Sequence, residues 1–233
     1  MVILVIDVGG THVKLRLSTE PEPRKFDSGA GFSAQQMVEG VLRETHDWSY
    51  DVVSIGYPGP VLHNRPVAEP ANMGKGWVAF DFQQALSKPV KIINDAAMQA
   101  LGSYDGGRML FLGLGTGLGS ALIAEGLLQP MELGHLPYRK GTFEDYVGLR
   151  GLKRLGTKKW RKRVFDVVER MIAALEVEYV VIGGGNVELL NELPPKCRKG
   201  DNANAFVGGV RLWDEGKPDP SGAMIIPPTK GAN

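Results

Sequence analysis

Val2-Ile3-Leu4-Val5-Ile6-Asp7-Val8-Gly9-Gly10-Thr11-His12-Val13-Lys14-Leu15-Arg16-Leu17 is the stretch from which the fold is read. Residues 2–6 form an apolar run, the pattern of a strand buried on both faces. Residues 7–11 then supply a tight turn containing two glycines. Beyond it Val13, Leu15 and Leu17 alternate with Lys14 and Arg16, which suits a strand returning antiparallel. The product is a hairpin whose tip carries an aspartate, two glycines and a threonine. The same layout recurs about a hundred residues later: apolar 109–114, the turn Gly115-Thr116-Gly117-Leu118-Gly119, then a strand over 120–124. Two such hairpins predict a duplicated, two-lobed α/β architecture, although glycine-tipped hairpins also arise in unrelated folds.

The segments between the hairpins fill in the first lobe. Residues 18–31, with Pro21 and Pro23, read as a loop around one short strand. Ser33 is a plausible N-cap for a helix over 33–46 whose apolar face is Met37, Val38, Val41 and Leu42. A strand over 52–55 runs into Gly56-Tyr57-Pro58-Gly59-Pro60. Residues 61–80 look like loop, and a short helix spans 81–86. Val90-Lys91-Ile92-Ile93 is another buried strand, and it stops at Asn94-Asp95 before the small residues Ala96, Ala97 and Ala100. A carboxylate at the C-terminal tip of a core strand points into the crevice where open α/β sheets bind ligands. Asp95 can act there as a base, with Asn94 orienting a hydroxyl; equally, Asp95 can serve only as a helix N-cap.

In the second half, residues 150–163 are strongly basic and lead into an amphipathic helix through Val164, Val167, Val168, Met171, Ile172 and Leu175. A strand over 177–182 ends in Gly183-Gly184-Gly185-Asn186. A short helix over 187–193 precedes Pro194-Pro195, and a last helix covers 204–213. From Asp214 onward proline, glycine and charge dominate, so residues 214–233 are expected to form a mobile tail.

Composition narrows the class. The 233 residues are 43% hydrophobic and 23% charged, ordinary for a globular protein, and the net charge of +1 offers no general attraction to nucleic acid or membrane. Cys197 is the single cysteine, which precludes an internal disulfide or a multi-cysteine zinc site and suits a reducing cytoplasm. The opening residues lack a basic leader and are stopped by Asp7, so a strand is expected there and not a signal peptide. No apolar run approaches the ~18 residues of a membrane span.

Three glycine-rich turns each follow a buried strand: Gly9-Gly10-Thr11, Gly115-Thr116-Gly117 and Gly183-Gly184-Gly185. Glycine lets backbone amides approach phosphate oxygens, and successive N–H groups make an anion nest. There is neither a P-loop lysine nor a dinucleotide fingerprint opening a helix. Asp7-Val8-Gly9-Gly10-Thr11, Gly56-Tyr57-Pro58-Gly59, Asn94-Asp95-Ala96, Gly115-Thr116-Gly117-Leu118-Gly119, Glu132-Leu133-Gly134-His135 and Gly183-Gly184-Gly185 occur in an order that resembles the ROK family of sugar kinases. Within it, Ala71-Asn72-Met73-Gly74-Lys75-Gly76-Trp77 and Leu133-Gly134-His135-Leu136 look like the polyphosphate glucokinases. The likeness runs from residue 2 to about residue 213.

That resemblance implies two ribonuclease-H-like lobes of the actin/hexokinase-like ATPase fold with a cleft and a hinge between them: 1–95 and 96–203, the helix 204–213 crossing back to the first. It implies Asp95 as general base for a hexose 6-hydroxyl. Asn94, Glu132 and His135 would hold sugar hydroxyls, with Gly59 and Asn72 lining the pocket. Glu144 is a further candidate, in surroundings that match the family less closely. Asp7 would orient Mg²⁺ through water. Gly9, Gly10, Thr11, Lys14, Gly115, Thr116 and Gly117 would hold phosphates, with Gly184 and Gly185 near the nucleotide. ATP or polyphosphate would be the donor, and a homodimer is implied. The family's cysteine-rich zinc motif is missing, so no zinc is expected, and Tyr138, Phe143 and Tyr146 are left to hold the loop over 136–150 by packing. Outside this resemblance, Glu132 reads equally as a surface charge and His135 as a core histidine.

Arg150, Lys153, Arg154, Lys158, Lys159, Arg161, Lys162 and Arg163 form either a solvated helix face or a track for a long polyanion, with Trp160 packed among them. Rival functions are a kinase for N-acetylmannosamine, fructose or allose, a non-catalytic sugar sensor, and a sugar-responsive repressor. The strand expected from Val2 leaves no room for the repressor's N-terminal DNA-binding helices, and an intact Asp95 argues against the sensor.

Overall fold

The computed structural model describes residues 1–214; all but the first residue of the expected tail lie outside the described residues. The chain divides into two compact units, one of Met1–Met98 with Ala205–Asp214, the other containing Gln99–Asn204.

The first unit is built from β1 (Ile3–Val8), β2 (His12–Leu17), β3 (Arg24–Asp27), α1 (Ala34–Glu44), β4 (Val52–Tyr57), β5 (Val61–Leu62), β6 (Arg65–Pro66), α2 (Phe82–Leu86), β7 (Val90–Asn94) and the start of α3 (Asp95–Ser103). Its main sheet has the order β3-β2-β1-β4-β7. β1 pairs antiparallel with β2 and parallel with β4, and β4 pairs parallel with β7. Both faces are buried: Leu4, Ile6 and Val8 join the cluster with Met37, Val38 and Val41 of α1, while Ile3 and Val5 face the other way. Ser33 caps α1 as expected, accepting from the Gln36 amide while Gln36 Oε1 accepts from the Ser33 amide at 2.9 Å. The stretch 61–80 departs from the loop expectation, because it contains the small β5–β6 hairpin, turned by His63 and Asn64 at positive φ. Two-residue strands are too short to display a period. The Asn64 side chain donates to Val90 O at 2.9 Å and accepts from Ile92 N at 2.5 Å, so one amide pairs with the outer side of β7.

The second unit repeats the plan with β8 (Arg108–Leu114), β9 (Leu118–Ala124), β10 (Leu127–Met131), β11 (Pro137–Tyr138), β12 (Gly141–Thr142), α4 (Phe143–Val147), α5 (Leu149–Leu175), β13 (Tyr179–Gly183) and β14 (Cys197–Lys199). The main order is β10-β9-β8-β13-β14, with the hairpins antiparallel and β8, β13 and β14 parallel. Order and direction therefore match the first sheet strand for strand. Pro130 masked β10 in the sequence, and it is tolerated because β10 is an edge. The helix expected over 187–193 shrinks to one 3-10 turn, Val187–Leu189. The basic segment and the amphipathic helix are one element, α5, broken at Gly156 (φ 70°, ψ 157°). Trp160 is fully buried and donates through Nε1 to Val147 O at 2.7 Å. Tyr138 packs on Phe143 and Tyr146 at centroid distances of 5.2 and 5.1 Å, which anchors the loop before α4.

α6 (Asn204–Arg211) ends two residues earlier than expected and packs on the first sheet, on the face opposite α1. The approach is close enough that a Cβ on Gly209 would stand 2.3 Å from Val5 Cγ1. Buried Ser54 in β4 donates to Gly209 O at 2.6 Å and accepts from Trp213 Nε1 at 2.9 Å. Lys91 donates to Leu212 O at 2.7 Å and lies over the Trp213 ring. Ser54→Ala removes the partner of the buried Gly209 carbonyl and of the part-buried Trp213 indole N–H, so a loss of about 1–3 kcal/mol is expected. Urea unfolding should report it as a lower midpoint with an unchanged slope.

Candidate active site

The parallel register sets the first half of the site. β1 runs on to Val8, two residues beyond the expected strand end, so Asp7 is a strand residue and not part of the turn. Asp7 is in register with Gly56 of β4, Gly56 with Ile93, and Tyr57 with Asn94 of β7. The three strands thus end at one edge, with Asp7, the Gly56–Gly59 bend and Asn94-Asp95 along it. The Asp7 side chain is 13% exposed, and Lys14, its register partner on β2, brings Nζ to 3.7 Å. Burial pushes the Asp7 carboxyl above its usual range, and the charge and hydrogen bond of Lys14 pull the other way. At the hairpin tip, Gly9 N donates to His12 O at 3.0 Å and Ser28 Oγ donates to Gly9 O at 2.6 Å, leaving Gly10 and Thr11 exposed.

Asn94 and Asp95 divide the labour in a way the sequence did not display. Asn94 Oδ1 accepts from the Ala97 amide at 3.1 Å, the contact of an N-cap, and its Nδ2 donates to Gly59 O at 3.2 Å. Asp95 is the first helical residue, with Oδ1 accepting from the Ala96 amide at 2.8 Å. Capping therefore falls to Asn94, and the cap reading of Asp95 does not hold. Asn72 is exposed in a loop pinned by Gly74, whose amide donates to Phe32 O and whose Cβ would meet Gly31 O at 2.4 Å. The structure joins Asn94 to Gly59, and no hydrogen bond recorded among the described residues ties Asn72 to either.

The second unit gathers its own group around the turn between β8 and β9. The Leu149 amide, which opens α5, donates to Gly115 O and Thr116 O at 3.1 Å each, and Asn186 Nδ2 donates to Gly115 O at 3.0 Å. A Cβ on Gly148 would stand 2.7 Å from Thr116 O, and one on Gly117 would stand 2.6 Å from Glu144 Oε2. Gly184, at φ +83°, lies against the backbone of Leu114, so the third glycine turn adjoins the second. Glu132 precedes a 3-10 turn, Leu133–His135, and is joined electrically to both neighbours: burial pushes its carboxyl up, His135 draws it down, and Glu144 pushes it up further. His135 and Glu132 are both exposed, so the core-histidine alternative fails while the surface-charge alternative for Glu132 stands. Glu144 sits in the first turn of α4, which Thr142 and Asp145 cap reciprocally. Asn186, Gly148 and Ser28 were missed from the sequence, because their roles are contacts to loops distant in the chain.

Lone carboxylates dominate the donor set. Among the described residues no group of three or more His, Cys, Asp and Glu is poised to share a metal ion. Asp7, buried and short of counter-charge beyond Lys14, fits a Mg²⁺ of the kind held by one or two carboxylates, waters and substrate phosphates. Among the described residues no helix is long and apolar enough to cross a membrane.

A solved structure, the inorganic polyphosphate/ATP-glucomannokinase of an Arthrobacter species, superposes with a TM-score of 0.76, covering 89% of this chain and 96% of that one at 24% identity. A ROK family glucokinase from Streptomyces griseus, solved with glucose and AMPPNP, gives 0.70 over 91% and 99% at 16% identity. The fold is that of the ROK sugar kinases. In sequence, the polyphosphate glucokinase of Mycobacterium tuberculosis is 29% identical over 148 residues, 57% of this chain and 56% of that one. The match thus spans little more than half the length of that relative. No protein-family model matches the chain.

The raised Asp7 carboxyl has a testable sign. A carboxyl whose folded-state pKa exceeds its unfolded value, here near 3.8, contributes most stability below that value and loses it as pH rises through the folded pKa. Asp7→Asn is therefore expected to raise Tm at pH 7 and leave it unchanged near pH 3, measured by calorimetry across that range.

Proposed function

We propose that the protein is a hexose kinase that moves a phosphoryl group from ATP or polyphosphate to the 6-hydroxyl of glucose or a close relative. The observation that carries the reading is the edge shared by Asp7, Gly56–Gly59 and Asn94-Asp95 in a sheet of the sugar-kinase fold. Asp95 accepts the hydroxyl proton, and the Asn94–Gly59 hydrogen bond keeps the strand end in shape beside it. The candidates for holding sugar hydroxyls are Asn94 and Asn72 in the first unit and, taken from the family resemblance, Glu132, His135 and Glu144 in the second. Vicinal hydroxyls suit such carboxylate and amide partners. The glycine turns, with Thr11, Thr116 and Lys14, take phosphate oxygens, and Gly184 and Gly185 adjoin the nucleotide when ATP is the donor. Asp7 holds Mg²⁺ through its water shell. When bound, the ion neutralises phosphate charge, while the chain's part is positioning and proton acceptance. The enzyme acts as a cytoplasmic homodimer, an expectation carried by the family resemblance and the single cysteine.

Three arginines of the basic run are engaged by the second unit itself. Arg150 pairs with Asp145 at 3.0 Å, Arg154 donates to Asp145 O and stacks on Tyr146, and Arg161 donates to Leu189 O and Asn191. These arginines brace α4 and the 187–191 turn. Lys158, Lys159 and Lys162, beyond the Gly156 break, are exposed ammonium groups, the point charges that suit a phosphate chain. That division supports polyphosphate as a donor.

Glucose 6-phosphate formation, followed by a coupled assay with Mg²⁺ and either donor, tests the activity. Asp95→Asn should bind glucose in calorimetry yet lose about 10²–10⁴ in kcat, as removal of a positioned base does; undiminished turnover would remove Asp95 from that role. Replacing Lys158, Lys159 and Lys162 together by Gln should raise KM for polyphosphate about tenfold or more, leave KM for ATP unchanged, and flatten the salt dependence of polyphosphate use.

A further inference from the structure

Gly56 is the register partner of Asp7 on one side and of Ile93 on the other, the residue just before Asn94-Asp95. A Cβ built on it would stand 2.3 Å from Met98 Cε, 3.2 Å from Met98 Sδ and 3.7 Å from Asp95 Cα. Met98 occupies the place a side chain at 56 would take. It is three residues after Asp95, on the same face of α3, and has no exposed surface. Around it lie Ile3, Val5, Val52, Ala205 and Phe206.

We infer that Gly56 and Met98 are positioning residues: a thioether seated in a glycine notch sets the height of α3 over β4, and so sets Asp95 relative to Asp7. The inference rests on the reading of Asp95 as the base. Its physical content is a lock between helix and sheet. The main-chain ladder fixes β1, β4 and β7 but ends at Asn94, so it cannot fix the first turn of α3. Asn94 Oδ1 holds the Ala97 amide and sets the helix start. Beyond the cap, α3 is held by its buried residues Ala97, Met98, Ala100 and Leu101, and Met98 is the one seated against Gly56 of β4. A methionine tip usually yields easily. Here the side chain has no exposed surface and shares its cluster with Ile3, Val5, Val52, Ala205 and Phe206, so a methyl added at 56 has to be met by repacking Met98 among them, and the strain passes to the helix that carries it. Neither residue offers a polar atom to substrate, so their influence is felt only through where Asp95 stands.

Gly56→Ala should lower kcat about a hundredfold, the cost of an ångström-scale misplacement, with glucose affinity by calorimetry within a factor of two of the parent. Gly56→Ala/Met98→Ala removes the clash and should recover at least tenfold of that loss, although it is the less stable protein. A rescue of rate against a fall in stability is something a purely structural role does not produce. Met98→Ala alone, which leaves the notch empty, should lower kcat while keeping glucose affinity, and it carries the test if Gly56→Ala does not fold. Full kcat in a folded Gly56→Ala, or in Met98→Ala, overturns the inference. So does a double variant no faster than Gly56→Ala. Absence of phosphoryl transfer by the parent protein would instead overturn the kinase reading, which keeps the two failures apart.

Discussion

Parallel pairing of β1, β4 and β7 is the constraint from which the site follows. Once Asp7 is held opposite Gly56 and Tyr57 opposite Asn94, the acids at positions 7 and 95 are neighbours of one bend, whatever the loops do. Parallel strands need long crossovers, and α1 and the segment 58–89 supply them. Those crossovers carry much of the core: Met37, Val38 and Val41 from α1, and Trp77 and Phe82 from the later segment. Apolar burial thereby supports a polar edge that would not assemble by itself. The buried Asp7 charge works against that packing, a stability cost of a kind that functional sites commonly carry.

The second sheet repeats the strand order and directions of the first but uses its hairpin tip differently. At Gly9–Thr11 a serine from the following strand region ties the turn. At Gly115–Gly117 the start of α5 and Asn186 take the carbonyl oxygens, and Glu144 fills the space beside Gly117. One architecture thus presents an open tip and a braced one. The bracing brings the carboxylates 132 and 144 within electrostatic reach of each other, and the lost hydration of Glu132 is the larger effect on its carboxyl.

Most of the fold was legible in the sequence because its long elements have clean periods. Residues 13–17 alternate, 37–42 form a helical stripe, and 109–114 and 179–182 are continuous apolar runs. What stayed hidden had physical reasons. β10 carries Pro130, the pairs β5–β6 and β11–β12 are two residues each, and β1 continues through a polar Asp7 that reads as a turn. At the site, Asp95 stood out as a carboxylate at the end of an apolar run, whereas Glu132 and His135 were singled out only by the family resemblance, since their own surroundings read equally as a surface charge and a core histidine. The roles of Asn94 as cap and Gly56 as notch were not legible, because both are defined by a neighbour's position in space and not by their own chemistry. Glu144 had weak local cues, and only its contact at Gly117 relates it to the turn.

The small β5–β6 hairpin has a further consequence through Asn64. β7 is the last strand of its sheet, and an outer strand with unpaired amides and carbonyls is a template for other chains. The Asn64 side chain imitates a peptide unit there, donating to Val90 and accepting from Ile92. A single carboxamide, held by a residue in the left-handed region, blocks the rung at which a foreign strand would start to dock. The sheet is finished at this border by a side chain instead of another strand, so the rung that Val90 and Ile92 would offer to a foreign backbone is already occupied from within the chain.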